Sequence, residues 1–201
     1  KDERSNTIDA TLGWENQGNS FSLTPYFTDF RSYIALLDTG VVQYHEHGGE
    51  EEALKVFQHQ NIPAEFYGFE FQGNINLSPN YGLSYWGDFV RAKNKNGGDL
   101  PRIPPLTLGS GLSYQWNTLR ANIDIEHKFN QSNIGTNELK TDDYTNLSLV
   151  MNYELAKAKG LNIFIKGDNL LDEERRDHTS FLKDKTLMGE RSFSFGITGS
   201  F

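Results

Sequence analysis

No cysteine occurs among the 201 residues. That excludes a disulfide framework, a thiolate metal site and a cysteine nucleophile. No run of ~18 consecutive apolar residues is present, so no transmembrane helix is expected. Basic residues are in the minority, with 19 Lys and Arg against 27 Asp and Glu. The resulting net charge of −8 argues against a nucleic-acid partner held through its phosphates. Catalytic signatures are also missing. The chain has no Gly-x-Ser-x-Gly elbow, no phosphate-binding glycine loop and no His-Glu-x-x-His helix, so an enzyme is not expected. None of this excludes a membrane β-barrel, whose wall alternates apolar and polar residues and never builds a long apolar run.

What the sequence does have is aromatic residues, 13% of the total, and 19 glycines. Their arrangement follows the two-residue period of a strand. In the last stretch Phe193, Phe195, Ile197 and Phe201 alternate with Ser192, Ser194, Gly196, Thr198 and Ser200. The same rhythm runs through Ile8–Trp14, Tyr67–Leu77, Tyr81–Phe89, Leu106–Trp116, Leu119–Ile125, Leu147–Leu155 and Leu161–Ile165. Ser20–Leu37 is a further, aromatic-rich strand, in which Pro25 predicts a bulge because it cannot donate to a ladder. The count is nine strands.

Their connections alternate. Short turns fall at 15–19, 78–80, 117–118 and 156–160; long polar loops fall at 38–63, 91–105, 130–143 and 172–190. Ala53–Phe57, inside the first long loop, reads as a helical turn. Strict alternation gathers the long loops at one rim and the short turns at the other, the asymmetry of an outer-membrane barrel. Trp14, Tyr81, Trp116 and Tyr153 lie near the short turns, where an interfacial aromatic girdle would sit. The competing reading is a soluble antiparallel sandwich with the aromatic face as its core. Against it stands the other face, rich in Gly, Ser, Thr and Asn, which suits a polar lumen.

Three stretches carry a family resemblance: Leu100-Pro-Arg-Ile-Pro-Pro-Leu106, Gly167-Asp-Asn-Leu-Leu-Asp-Glu-Glu174 and the aromatic terminal strand. With them the chain resembles the carboxy-terminal part of TonB-dependent outer-membrane receptors. Asp177-His-Thr-Ser-Phe-Leu-Lys-Asp184 is similar to the last external loop of a subgroup that includes zinc-uptake receptors. The resemblance implies an all-β, antiparallel, up-and-down transmembrane barrel of about 22 strands around a plug domain. Residues 1–201 would be its last nine strands. The plug, the energy-coupling box and the earlier strands are not in the sequence, which begins at Lys1 without a methionine and reads as a piece of a longer protein.

The resemblance further implies uptake of a scarce nutrient across the outer membrane of a Gram-negative bacterium, with the long loops extracellular. The partners implied are the lipid bilayer and lipopolysaccharide, the plug and missing strands, the TonB energy-coupling complex acting through the plug, and the barrel assembly machinery. Phe193, Phe195 and Phe201 match the family's carboxy-terminal signal for membrane insertion.

Zinc is the preferred cargo, and no cofactor is expected to be permanently bound. His45, Glu46, His47, Glu51 and His59 lie in the first long loop and offer the nitrogen and oxygen ligands that Zn²⁺ takes, with Gly48-Gly49 free to fold them inward. A solvated loop that happens to carry histidines is the plain alternative. His178 with Asp177, Glu173 and Glu174 is a weaker metal candidate; a loop salt-bridged through Arg175 and Arg176 is the preferred account of that stretch. Arg120, Asp124, Glu126, Lys166 and Asp168 interleave on the polar face and are expected to line the lumen, pairing across strands. An iron–siderophore or haem receptor is the alternative cargo reading. A non-transport adhesion barrel is the alternative role.

Overall fold

The computed structural model describes residues 2–47, 50–155 and 160–199, with the backbone alone for His47, Glu50 and Glu52. The elements are β1 (Arg4–Asp9), β2 (Leu12–Asn16), β3 (Asn19–His47), β4 (Glu50–Ser78), β5 (Tyr81–Asn94), β6 (Thr107–Trp116), β7 (Leu119–Lys128), β8 (Tyr144–Glu154), β9 (Leu161–Asp168) and β10 (Ser192–Gly199). All belong to one antiparallel sheet in the order β1-β3-β4-β5-β6-β7-β8-β9-β10, with β2 also on β3. The sheet is an open part of a barrel wall.

β1 and β2 are two halves of the first expected strand. Both pair with β3, and the gap between them lies opposite Pro25. Ala10 N donates to Pro25 O at 3.3 Å, so the missing Pro25 N–H also faces this gap. The irregularity expected at Pro25 therefore appears in the neighbouring strand, while Pro25 keeps register with Phe69 on the other side. Gln17 and Gly18 close the β2–β3 hairpin, both at positive φ (51° and 77°), the signature of a two-residue type I′ turn.

Register carries one face from β4 to β10. Ile75, Leu83, Leu112, Ile123, Leu149, Gly167 and Phe193 stand side by side on successive strands. So do Ser20, Asn74, Ser84, Gly111, Asp124 and Ser148 on the opposite face. The apolar face is open to its surroundings: Ile8 is 71% exposed and Phe195 86%. A contiguous exposed apolar face of this extent needs a lipid or protein covering. Trp14, Tyr81, Trp116 and Tyr153 are all exposed at the short-turn end, and Tyr81 packs on Tyr114 with ring centroids 4.8 Å apart.

The largest departure from expectation is at 38–63. This stretch is not a polar loop, and Ala53–Phe57 is not a helical turn. Both belong to β3 and β4, each 29 residues long, which run beyond the wall as a two-stranded ribbon. Tyr33 pairs with Ile62, and the ladder continues to His47 opposite Glu50, with register shifts between Phe30 and Tyr33 and between Asp38 and Val42. Much of the ribbon is exposed, so it shows no alternation of apolar and polar residues. It holds through backbone bonding and β-forming residues such as Ile34, Val41, Val42 and Tyr44. β5 likewise runs on to Asn94, into the expected second loop. The small buried core, Ala35, Ile62, Ala64, Ala92 and Leu100, sits at the base of the ribbon. Phe30, Tyr33 and Phe66 pack there at 5.0–5.1 Å between ring centroids.

Candidate functional site

The ribbon ends in three rungs, His45↔Glu52, Glu46↔Glu51 and His47↔Glu50. Directly opposed residues share a face and neighbours along a strand do not, so Glu46 and Glu51 lie together and His45 lies on the other side. His59 pairs with Leu36, seven residues along β4 from Glu52 and so roughly 23 Å away at the rise of a strand. The register thus separates His59 from the other four residues of the expected ligand set. His45, Glu46, Glu51 and His59 are all exposed. Among the described residues no three His, Asp or Glu side chains converge as a metal shell. Gly48, Gly49 and the side chain of His47 lie outside the described part.

Arg120, Asp124, Glu126, Lys166 and Asp168 all fall on the polar face. Their register neighbours there include Asn152, Gly111, Gly109, Val150 and Ser192. Their contacts are local. Asn122 Nδ2 donates to Asp124 at 2.5 Å, and Glu126 lies 3.9 Å from Lys128. Lys166 sits 5.5 Å from the Phe164 ring centroid. Asp168 accepts from Arg175 Nη2 at 2.8 Å and from Asn146 Nδ2 at 3.2 Å. Arg175 therefore serves the end of β9, while Arg176 pairs with Glu174 at 3.0 Å. Phe193 and Phe195 stand exposed on β10, opposite Gly167 and Ile165; Phe201 lies outside the described residues.

The most elaborate chemistry lies at the long-loop rim, where loops 95–106, 129–143 and 169–191 meet the ribbon. Its centre is the Glu138 carboxylate, whose side chain is 6% exposed. Glu138 Oε1 accepts from Arg102 N at 2.8 Å and from Lys183 Nζ, and lies 3.4 Å from His178 Nε2. Glu138 Oε2 accepts from Gly135 N at 2.8 Å. Burial alone would raise this carboxyl, but hydrogen bonds from His178, Lys183, Gly135 and Arg102 hold it down to about 2. His178, 2% exposed, shares a hydrogen bond with Thr141 Oγ1 at 2.9 Å. It faces Glu138 rather than Asp177, Glu173 or Glu174, which removes it from the weaker metal set.

Arg102, at a positive φ of 59°, reaches the ribbon by donating to Leu36 O at 2.7 Å. Its guanidinium also lies 4.3 Å from the Phe181 ring centroid. Phe181 meets Phe57 of the ribbon edge to face at 5.6 Å. Beside these groups is a cavity of about 350 Å³ whose lining includes Lys55, Phe57, Arg102, Leu139, Phe181 and Lys185. Asp38, Glu138 and Asp184 also line it, so the wall carries both signs of charge beside its aromatic part, and it has room for a small ligand. Sequence reasoning missed Glu138 and Arg102. The nearest signals were the Pro101/Pro104/Pro105 cluster, which stiffens the segment around Arg102, and Gly135-Thr-Asn-Glu138, a turn composition.

The family model for the TonB dependent receptor-like β-barrel matches residues 1–170. Among solved structures, the copper transporter OprC superposes over 99% of this chain and 31% of its own, at 20% identity and TM-score 0.78. A mutant of the ferric enterobactin receptor PfeA from Pseudomonas aeruginosa does so over 99% and 31%, at 20% identity and TM-score 0.73. The siderophore receptor PirA from Acinetobacter baumannii does so over 98% and 32%, at 18% identity and TM-score 0.69. The chain thus spans about a third of the length of each of these structures, and at such identities the likeness is one of fold. The long match to the family model, on a sequential antiparallel wall with one apolar face, makes the chain a member of the TonB-dependent receptor β-barrel family.

Proposed function

We propose that this chain is part of a TonB-dependent receptor that takes up a scarce metal nutrient through the outer membrane of a Gram-negative bacterium. The observation that carries the reading is the family match over residues 1–170 on a sheet whose apolar face is exposed along its length. In this reading the apolar face meets lipid, with lipopolysaccharide around the rim. The polar face is lumen wall, and the ribbon and long loops are extracellular. Arg120, Asp124, Glu126, Lys166 and Asp168 line the lumen and meet the plug. The plug and remaining strands complete the barrel, and the TonB complex drives transport through the plug. Phe193, Phe195 and Phe201 address the chain to the barrel assembly machinery. The chain's role is binding and passage, without catalysis and without a permanently bound cofactor.

Zinc is the proposed cargo. Support comes from the composition of the ribbon tip, whose three successive rungs carry two histidines and four glutamates, on alternating faces. His59 is a second contact point farther down the ribbon. Calorimetry of zinc on the full-length receptor tests this. The double variant His45→Ala/His47→Ala is expected to lose at least tenfold in affinity, and an unchanged affinity would remove the tip from the site.

A second reading is favoured by the rim cavity. Phe57, Phe181, Arg102, Lys55 and Lys185 suit an aromatic metal chelate better than a bare ion, although Asp38, Glu138 and Asp184 share the wall. The structural neighbours include a copper transporter and receptors for siderophores, so both kinds of cargo have precedent in the fold. Retention of a ferric catecholate chelate by the wild type, lost in Phe181→Ala while zinc binding persists, would decide for it.

A further inference from the structure

The polar face of the sheet is not uniform in charge. On β7 and β9 the two signs are mixed, with Arg120, Asp124, Glu126, Lys128, Lys166 and Asp168. On β1 to β5 the same face is acidic only. Register sets Asp9 opposite Tyr26, Glu15 opposite Ser20, Thr24 opposite Glu70, and Glu70 opposite Asp88. The basic residues of these five strands lie elsewhere. Arg91 and Lys93 pair with Tyr67 and Glu65 on the apolar face, Lys55 is on the ribbon, and Arg4 and Arg31 are at the ribbon's base.

These carboxylates are spread down the wall rather than clustered. From Tyr26 to Ser20 is six residues of β3, roughly 20 Å at the rise of a strand. Asp9 is nearest the long-loop rim, Glu70 and Asp88 come next, and Glu15 is nearest the short turns. Hydroxyls fill the levels between them and bond one another, Thr7 with Thr28 and Thr11 with Thr24, each at 2.9 Å. None of the four carboxylates has an ion pair or side-chain hydrogen bond among the described residues. Lys128, in the same row as Asp88, is two strands away across Thr107 and lies 3.9 Å from Glu126. Glu70 and Asp88, directly opposed, repel each other, and a cation between them removes that cost. Two hollows follow this wall. One of about 480 Å³ lies beside Thr24, Glu70 and Asp88, and one of about 470 Å³ beside Glu15 and Ser20; they share Ser22 and Gln72 and so continue one another.

We propose that the β1–β5 sector of the lumen wall is a cation path, along which a hydrated divalent cation passes from Asp9 to Glu70 and Asp88 and on to Glu15. Spaced carboxylates with neutral oxygens between them attract a cation at each level without enclosing it, which is what passage requires. The mixed-sign wall at β7 and β9 has no such preference and suits contact with protein. This rests on the uptake reading and deepens it, because an acidic wall favours a bare cation over an anionic chelate as the species that passes.

The experiment is cysteine modification of the full-length receptor in detergent, where both rims are open to solution. Thr7→Cys, Thr11→Cys and Ser22→Cys sample the path, and Ser148→Cys samples the mixed-sign wall. Each is treated with a trimethylammonium and a sulfonate methanethiosulfonate, reagents of similar size and opposite charge. Folding of each variant is checked by the heat-dependent gel mobility of the barrel. The cationic reagent is expected to react faster by about tenfold or more at all three path positions, and by no more than about threefold at Ser148→Cys. Combining Asp9→Asn, Glu15→Gln, Glu70→Gln and Asp88→Asn should bring the path positions within about threefold as well. Equal rates in the parent would overturn the path, as would a preference that survives neutralisation or appears equally at Ser148→Cys. Path positions closed to both reagents would also overturn it, by showing that protein fills this side. Because the readout uses no cargo, a failed path would leave the uptake reading standing, and failed zinc binding would leave the charge preference of the wall standing.

Discussion

Trp86 lies across Gly109, its cross-strand partner on the polar face. A Cβ built at Gly109 would fall 2.1 Å from the indole Cε2 and 2.3 Å from Cζ2. The ring therefore occupies the space a side chain would take, and glycine is required there for packing rather than for backbone conformation. Gly109→Ala is expected to lift the indole and cost about 1–3 kcal/mol, the usual range for overpacking. Thermal unfolding followed by tryptophan emission checks it. Adding Trp86→Ala to Gly109→Ala should recover part of the loss, giving a coupling that two independent sites would not show.

Ile123 and Asn122 are consecutive residues of β7 on opposite faces, with Ile123 in the apolar row and Asn122 in the polar one. In a membrane wall the two positions differ sharply in tolerance of charge. Ile123→Lys is expected to cost about 2–4 kcal/mol, as for a cation on the lipid face near the midplane. Asn122→Lys, on the polar face, should cost under about 1 kcal/mol. The fraction of receptor folded into lipid vesicles, read by gel mobility with and without heating, compares them. Equal tolerance at both sites would contradict the lipid-facing assignment.

The rim has a defined acid limit. Glu138 titrates at about 2 in the folded protein, against 4.5 as its ordinary value. Its folded value is depressed, so its stabilisation is fully present above the unfolded value. It is lost progressively as pH falls from about 4.5 toward 2. The contribution is up to roughly 3 kcal/mol, and it concerns the loop layer rather than the wall. Near-ultraviolet dichroism of the rim aromatics should report weaker loop packing at pH 3 than at pH 6. Glu138→Gln should flatten that dependence.

Arg175 is 5% exposed and joins three elements, donating to Asp168 on β9, Asn146 Oδ1 on β8 and Gly189 O before β10. Arg175→Met keeps much of the stem but removes these bonds. Because Asp168 is half exposed, water replaces part of what it loses, and a cost of about 1–3 kcal/mol is expected. Hydrogen exchange should quicken at the Leu170 amide, which bonds Leu147 O of β8, and at the Asp172 amide, which bonds Asn169 O, with little change in β6 or β7.

The wall was legible because alternation is enforced wherever one face is apolar. Ile123 and Asn122 could be assigned to faces from sequence, and the loops at 130–143 and 172–190 stand where the rhythm stops. The ribbon was not legible for the same reason. With solvent on both sides, His45, Glu46 and His47 can follow one another without any period, and Ala53–Phe57 mimics a helical turn. The Glu138–Lys183 contact is hidden by distance. Glu138 and Lys183 are 45 residues apart in irregular loops, and nothing local in either stretch marks its partner. His178 stands beside carboxylates in sequence, yet it pairs across space with one from another loop.

The strand order of the sheet follows the chain, with each strand added beside the one before it. Such a wall can assemble as a succession of hairpins, each needing only its predecessor as a template. The rim cannot assemble in that way. Arg102 and Glu138 are separated by 36 residues, and Glu138 and Lys183 by 45, so the carboxylate acquires its full set of donors only after β6 to β9 have found their places. Assembly of the loop layer is therefore a late event in the history of the molecule, one that reports a correctly ordered wall beneath it.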